Sequence, residues 1–371
     1  MSKTELVRLI DVVDINPHYD LTENSRDYFI EMAAVDESTG DVKYFKSKEN
    51  ANSGSSRFKE GDILFARITP CTENGKVAIA RGLKDEVGLG STEFIVLSPK
   101  KVLPEWLYFL LKTPEIKDEA IKNMEGTTGR QRVPTDFFKT LYINVPPQER
   151  QRQIVKTLVS IREISKKNSK AQELSSAYPL ALFNKMFNNS ERKWEFKSLA
   201  DTCEFLDNLR KPVKESVRKP GPYPYYGANG QVGTIDDYLF DEPLVLLAED
   251  GGNWGDPSRH IAYEISGKSW VNNHAHVLRP EKGFDISFIL YSIAHTDIQH
   301  LISGTTRGKL TKKSAESIPI IHAPVELQQK FGKSITAFRK VQENQTKSAE
   351  KLNLLFASLS SKYFTALNTD T

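Results

Sequence analysis

Residues 126–187 read GTTGRQRVPTDFFKTLYINVPPQERQRQIVKTLVSIREISKKNSKAQELSSAYPLALFNKMF, and a second version of the same stretch runs from Gly304 to Phe364. In both copies a Gly-Thr-Thr turn carrying basic residues leads to a short apolar strand, then to a Pro-x-Glu-x-Gln helix start at Pro147 and Pro324, then to a long helix ending in Lys-x-Phe. Proline suits the first turn of a helix, where its missing N–H would be unpaired in any case. Ile154, Leu158, Ile161 and Ile164 step by three and four, as do Phe331, Ile335, Phe338 and Val341; Leu174, Tyr178 and Leu182 continue the first stripe, and Leu352, Leu355 and Leu359 the second. A helix of about 40 residues is roughly 60 Å long. A narrow stripe on a helix of that length calls for a partner, and the other copy offers a matching one.

Working outward, Glu5–Asp11 and Glu195–Asp201 share Glu, Leu and Asp positions, so the duplication extends to the start of the chain. Gly61–Arg67, Val77–Ala80 and Glu93–Leu97 read as strands in the first half, followed by a helix from Leu103 with Trp106, Leu107, Leu110 and Leu111 at helical spacing. In the second half Val232–Ile235 and Leu244–Ala248 read as strands, and Val271–Leu278 aligns with Ser91–Leu97, both running into Val-Leu-x-Pro. Glu249–Asp256 occupies the position of the polar Arg67–Lys76 loop. The two halves thus share a scaffold and differ in their loops. The fold class is α+β: two similar lobes and two long antiparallel helices in a pseudo-two-fold repeat, with boundaries at 1–147, 148–187, 188–323 and 324–371.

The 371 residues suffice for two or three domains, and 39% hydrophobic with 27% charged residues is an ordinary globular composition. With 51 basic against 48 acidic residues the net charge is only +3, so any face for nucleic acid must come from how charges are placed. Cys71 and Cys203 lack metal-ligand spacing and argue against a disulfide framework. No apolar run reaches signal-peptide or membrane-span length, which predicts a cytoplasmic protein away from the membrane.

Gly61-Asp-Ile-Leu, Tyr225-Tyr-Gly-Ala-Asn-Gly230, Trp270-Val-Asn-Asn-His-Ala-His276 and the two Pro-x-Glu-x-Gln helix starts, in this order and twice over, resemble the DNA-specificity subunit of type I restriction-modification systems. The resemblance covers essentially the whole chain. It implies two target recognition domains, each reading one half of a split, asymmetric target in double-stranded DNA, with coiled-coil helices that set the gap and dock two methyltransferase subunits. Restriction subunits are the further partners it implies. It assigns S-adenosylmethionine, ATP and Mg to those partner subunits and none to this chain.

Candidate DNA contacts fall in two groups. The turns shared by both halves, Thr127, Thr128, Arg130 and Arg132 in the first and Thr305, Thr306, Arg307 and Lys309 in the second, offer hydroxyls, backbone N–H groups and cations to phosphate. Residues common to both copies cannot explain different specificities, so we favour scaffold or backbone contact for them. Base reading belongs in what differs: Arg67, Thr69, Asn74 and Lys76 in the first half, and Tyr223, Tyr225, Asn229, Asn253 and Trp254 in the second. Arginine pairs with guanine edges and asparagine with adenine edges. His274-x-His276 would share a strand face, but no third metal ligand is evident, and a packed or hydrogen-bonded role is favoured.

Enzyme signatures are missing. Asn144-Val-Pro-Pro147 lacks the Asn-Pro-Pro-aromatic order of amino-methyltransferases, Gly304–Leu310 falls short of a Walker A loop, and no Gly-x-Ser-x-Gly elbow occurs. The expectation is a non-catalytic recognition subunit. A self-contained DNA-modifying enzyme and a tandem protein-binding scaffold are the competing readings.

Overall fold

A computed structural model describes residues 4–21, 24–47, 55–127, 129–188, 193–254, 261–304 and 308–364. It falls into two units, Met1–Ser169 with Ser348–Thr371, and Lys170–Lys347. Each is built around a four-stranded antiparallel sheet. In the first unit the strand order is Val13–Ile15, Phe94–Pro99, Ile63–Ala66, Val77–Ile79; in the second it is Cys203–Phe205, Ala275–Pro280, Leu244–Ala248, Ala262–Ile265.

The central strands Ile63–Ala66 and Leu244–Ala248 are apolar and buried at every position. Side chains alternate between the two faces of a strand, and each face meets its own core. Ile63 and Phe65 pack with the helices Pro104–Leu111 and Pro114–Lys122, while Leu64 and Ala66 pack with Phe58 and Ile30 of a smaller three-stranded sheet. The second unit repeats this: Val245 and Leu247 face Phe288, Ile289 and Ile293 of the helix Ile286–His295, and Leu244 and Leu246 face Phe240 and Val271 of a second sheet. A strand covered on both faces reads as a continuous hydrophobic run.

The Pro-x-Glu-x-Gln motif acquires a physical reason. Gln151 and Gln328 are buried one turn into their helices. The Gln151 amide oxygen accepts from the Leu103 N–H at 2.9 Å and its amide nitrogen donates to the Pro146 carbonyl at 2.8 Å. Gln328 does the same for the Asp285 N–H (3.1 Å) and the Ala323 carbonyl (2.8 Å). Each glutamine therefore ties the start of a long helix to the start of the helix packed on the sheet. Gln151→Leu should leave a buried N–H and a buried carbonyl unpaired, at about 1–3 kcal/mol for each such group. Chemical denaturation of the full chain checks this, and a loss below about 0.5 kcal/mol, the usual range of inert surface changes, would contradict it.

The central helix differs from the expected single element over 148–187. It is two helices, Gln148–Ser175 and Tyr178–Phe187. Pro179 is the cause: lacking an N–H, it cannot donate to the Ser175 carbonyl, and its ring crowds that turn. The Ser175 and Ser176 hydroxyls instead donate to Gln172 O (3.0 Å) and Glu173 O (2.7 Å). The second long helix has no proline and runs unbroken from Val325 to Phe364.

Only the beginning of each apolar stripe is buried. Ile154, Leu158, Ile161, Phe331 and Ile335 lie in the cores of their own units, whereas Ile164 is 53% and Leu174 69% exposed. The start of each long helix thus packs on its own lobe. The ends do something the sequence did not suggest. In the first unit Phe364 meets Trp106 (ring centroids 5.8 Å apart), Phe356 meets Phe109 (6.0 Å) and Arg150 lies over Tyr363 (5.4 Å). In the second, Phe187 packs on Phe288 (4.8 Å), Phe183 on Phe331 (5.6 Å) and Tyr178 on Phe338 (5.0 Å). The Lys-x-Phe ending of the helix that follows one lobe therefore closes the core of the other lobe. Within the second unit the paired helical segments run antiparallel, as Gln172 with Thr346 and Tyr178 with Phe338 illustrate.

Candidate nucleic-acid interface

The two central strands end in the same local construction. Arg67 N–H donates to Glu93 O (2.9 Å) and Arg67 O accepts from Val133 N–H (2.8 Å); Glu249 N–H donates to His274 O (2.9 Å) and Glu249 O accepts from Leu310 N–H (2.7 Å). Behind these, Ile68 is bridged to Arg132 and Asp250 to Lys309. Each basic turn is consequently stitched to the variable loop of its own lobe. Two groups of residues that the sequence separates, the shared turns and the differing loops, form one surface in each unit.

At matching positions the chemistry is exchanged. The first lobe carries Arg67, Glu93 and Arg132; the second carries Glu249, His274 and Lys309. In the first, Arg132 makes a two-pronged ion pair with Glu93 at 2.7–3.1 Å. In the second, Lys309 pairs with Glu249 at 3.2 Å, and His274 Nδ1 lies 2.6 Å from Asp250.

Several of the candidates turn out to be held by the protein itself. Tyr225 is 2% exposed, its hydroxyl bonds both the N–H and the carbonyl of Val213, and Arg218 lies 3.9 Å over its ring. It is a core residue and cannot meet a base. The ammonium of Lys76 donates to the Met32 carbonyl at 3.1 Å, which fixes a loop. The Trp254 indole N–H donates to Gly308 O at 3.0 Å, and a Cβ on Gly308 would come within 2.6 Å of that ring, so the pair is a close-packed support for the turn. Arg132 is restrained by Glu93, and Thr69 lies against Met124 sulfur at 3.7 Å. Arg67 is half-buried, as is Tyr223, which stacks near Tyr238 (5.2 Å). Asn253 is half-buried too.

Asn74, Thr127 and Arg130 are exposed, and Arg130 has no ion-pair partner among the described residues. Asn229 is exposed and donates to Gly251 O at 2.8 Å, leaving its amide oxygen outward. Thr128, Thr305, Thr306 and Arg307 lie outside the described residues.

Beneath the second turn lies a buried polar network. His276 is 0% exposed, with Nδ1 at 2.7 Å from Asp207 and Nε2 at 2.9 Å from Leu310 O. Arg210 donates to Glu249 at 2.7 Å and to Ala275 O at 2.6 Å, and lies 3.3 Å from Asp207. Burial alone would raise the Asp207 carboxyl, yet the hydrogen bond and charge of His276, the Val277 N–H and the Arg210 cation carry it below the ordinary carboxylate value. Asp207, Glu249 and His276 are close enough together to suggest a cation site. The guanidinium of Arg210 already bridges the two carboxylates, and both histidine nitrogens are engaged, so the donor set fits a closed structural network.

One feature the sequence reading passed over is the segment 207–221. It carries Arg210, Lys211, Lys214, Arg218 and Lys219 against Asp207 and Glu215. Lys211, Lys214 and Lys219 are exposed and have no ion-pair partner among the described residues. Prolines 212 and 220 stiffen this arm, and the Trp270 indole N–H fixes it through Lys211 O at 2.7 Å. Counting charge by segment would have found it.

The family model of the type I restriction modification DNA specificity domain matches residues 1–175 and again 191–354. The chain is 33% identical over 153 residues to a putative type I restriction enzyme specificity subunit of Haemophilus influenzae, covering 41% of this chain and 39% of the relative. It is 34% identical over 156 residues to the EcoAI specificity subunit of Escherichia coli, covering 41% and 26%. Both matches span well under half of the relative's length. A putative MjaX specificity subunit of Methanocaldococcus jannaschii is 25% identical over 331 residues, covering 79% and 75%. The fold is similar to that of the HsdS subunit from Thermoanaerobacter tengcongensis (TM-score 0.53, 17% identity, 98% and 96% of the chains). It is also similar to that of the type I restriction-modification S subunit from M. genitalium (TM-score 0.63, 16% identity, 99% and 97%).

Proposed function

This chain belongs to the type I restriction-modification DNA specificity family, and on that premise we propose that it reads a split, asymmetric target in double-stranded DNA, one half with each lobe. One observation carries the reading: two loops of matching backbone construction present different side chains beside a shared cation, Arg67 and Glu93 in the first against Glu249 and His274 in the second. Equivalent placement gives two readers of the same build, and different donors and acceptors give them different base edges to recognise. Arg130, Asn74 and Asn229 are the exposed groups best suited to that role, and Lys211, Lys214 and Lys219 to phosphate.

The chain acts without catalysing a reaction. It docks two methyltransferase subunits, joined in the full assembly by restriction subunits, and these partners carry S-adenosylmethionine, ATP and Mg. Its two long helices pair as an antiparallel coiled coil that spaces the half-sites, since centres read on one face of B-DNA must lie about one turn, roughly 34–36 Å, apart. Arg150 over Tyr363 in the first unit and Tyr178 against Phe338 in the second support this assignment. No described helix is long and apolar enough to cross a membrane, which agrees with work on cytoplasmic DNA.

The test is an exchange of residues 1–147 for the corresponding lobe of another family member, with methylated motifs mapped in cells carrying the partner methyltransferase. One half of the motif should change and the other persist. Change in both halves, or in neither, would refute independent reading by the two lobes.

A further inference from the structure

The repeat provides an internal comparison at a second place, where the long helices meet the helix packed on each sheet. Gln151 and Gln328 are equivalent, so Arg162 and Arg339, each eleven residues on, are equivalent too. In the second unit Arg339 is neutralised by Glu264 of the sheet at 2.5 Å, in a cavity also lined by Tyr291 and Ala294. The strand register puts Ile79 in the first unit where Glu264 stands in the second, because Ile63 pairs with Ile79 as Val245 pairs with Glu264. Lys112 in turn stands where the second unit has Ala294.

The first lobe has thus lost the carboxylate and gained a second cation. Arg162 lies over the rings of Tyr108 and Phe109 (5.4 and 5.7 Å) and donates to the Thr39 carbonyl. The Lys112 ammonium donates to two main-chain carbonyls, Glu37 O at 2.6 Å and Gly75 O at 2.9 Å. Neither cation has a carboxylate within ion-pair distance among the described residues. Asp41 and Glu105, on the same walls, are engaged with Lys166 and Arg81. Glu163 is exposed beside them without pairing with Arg162. Burial, and after it the charge of Arg162, pull the Lys112 ammonium down to about 8 against the weaker opposing charges of Asp36 and Glu37. Cavities of about 530 and about 450 Å³ open on either side of Arg162, and the second is lined by both cations with Ile161, Leu352 and Phe356.

We propose that this cavity is an anion site that takes a carboxylate on an apolar stem, supplying to Arg162 and Lys112 from outside what Glu264 supplies to Arg339 from within. The aromatic and aliphatic walls receive the stem, and the two cations receive the head. The carboxylate comes either from a small free acid or from an acidic side chain of a docked protein. Its test reads the binding of a carboxylate in the absence of DNA and so does not depend on the proposal above.

Thermal melting of the full chain with sodium hexanoate as probe, against sodium chloride at equal ionic strength, tests it. At about ten times the dissociation constant, hexanoate should raise the melting temperature by a few degrees, about 2–4 °C for a domain of this size. Ile79→Glu, which restores the carboxylate of the second lobe, should abolish the response. Lys112→Met, which keeps the stem and removes the charge, should weaken it several-fold and decides the matter if Ile79→Glu fails to fold. A rise matched by chloride, no rise, or an unchanged response in Lys112→Met overturns the site. Repeating the melt on the complex with its co-expressed methyltransferase separates the sources: loss of the response there assigns the site to a partner carboxylate, and persistence assigns it to a free acid.

Discussion

Replacing Lys211, Lys214 and Lys219 together by alanine is expected to lower the affinity of the assembled complex for duplex DNA by about 100-fold or more at 0.1 M salt. The plot of log affinity against log salt should become shallower by about 2.7, the contribution of three phosphate contacts through released counterions. The argument is one of placement. The chain as a whole is nearly neutral, so its attraction to DNA has to be local, and in this arm, between Arg210 and Lys219, five cations meet a single acid, Glu215. Two of the five are already committed to structure, Arg210 to Glu249 and Arg218 to the Tyr225 ring. The other three are exposed and have no ion-pair partner among the described residues. Their loss should leave the folding free energy unchanged within about 0.5 kcal/mol, as for surface substitutions that remove no contact. Because phosphate contacts carry no sequence information, the methylated motif should stay the same while affinity falls. An unchanged salt slope would remove the arm from the interface.

The scaffold was legible from the sequence because its signals are local and occur twice. Continuous apolar runs at Ile63–Ala66 and Leu244–Ala248, prolines before the two long helices and the Val-Leu-x-Pro endings each report their own element. Repetition then confirms each signal against a second example. The break at Pro179 was equally local and could have been read from the same rule that placed Pro147. What the sequence withheld depends on tertiary partners. A tyrosine in a turn-rich aromatic segment looks available to DNA until Val213 and Arg218 enclose it, as they do Tyr225. A lysine in a polar loop looks free until the Met32 carbonyl, 44 residues away, receives it, as with Lys76. Periodicity likewise shows that Ile164 and Leu174 continue a stripe, but not that the core ends before them. The Lys-x-Phe endings were visible as a repeat, while their crossing to the opposite core is a matter of topology and has no local signal.

Asp207→Asn is expected to be the most destabilising single change in the second lobe, by about 3–5 kcal/mol, the range found when one partner of a buried ion pair is removed. Asp207 accepts from His276 at 2.7 Å and from the Val277 N–H at 3.0 Å and lies 3.3 Å from Arg210. Asparagine keeps the shape and removes the charge. His276 Nε2 donates to the Leu310 carbonyl, so a neutral ring can still accept at Nδ1 from the new amide, and what is lost is the negative charge that His276 and Arg210 both face. The loss should therefore reach the basic turn through Leu310, which also bonds Glu249, and loosen recognition of one half-site before the other. The pH dependence gives a second measurement. The Asp207 carboxyl titrates lower in the folded chain than its ordinary value, so its contribution is fully present above the unfolded value of about 3.9 and is lost as pH falls through the folded one. Denaturant melts of the native chain should show stability dropping in that acid window, and the gap between native chain and Asp207→Asn should narrow there. Equal stability of the two at neutral pH, or a gap that does not close in acid, would show that the network is held by something other than this charge.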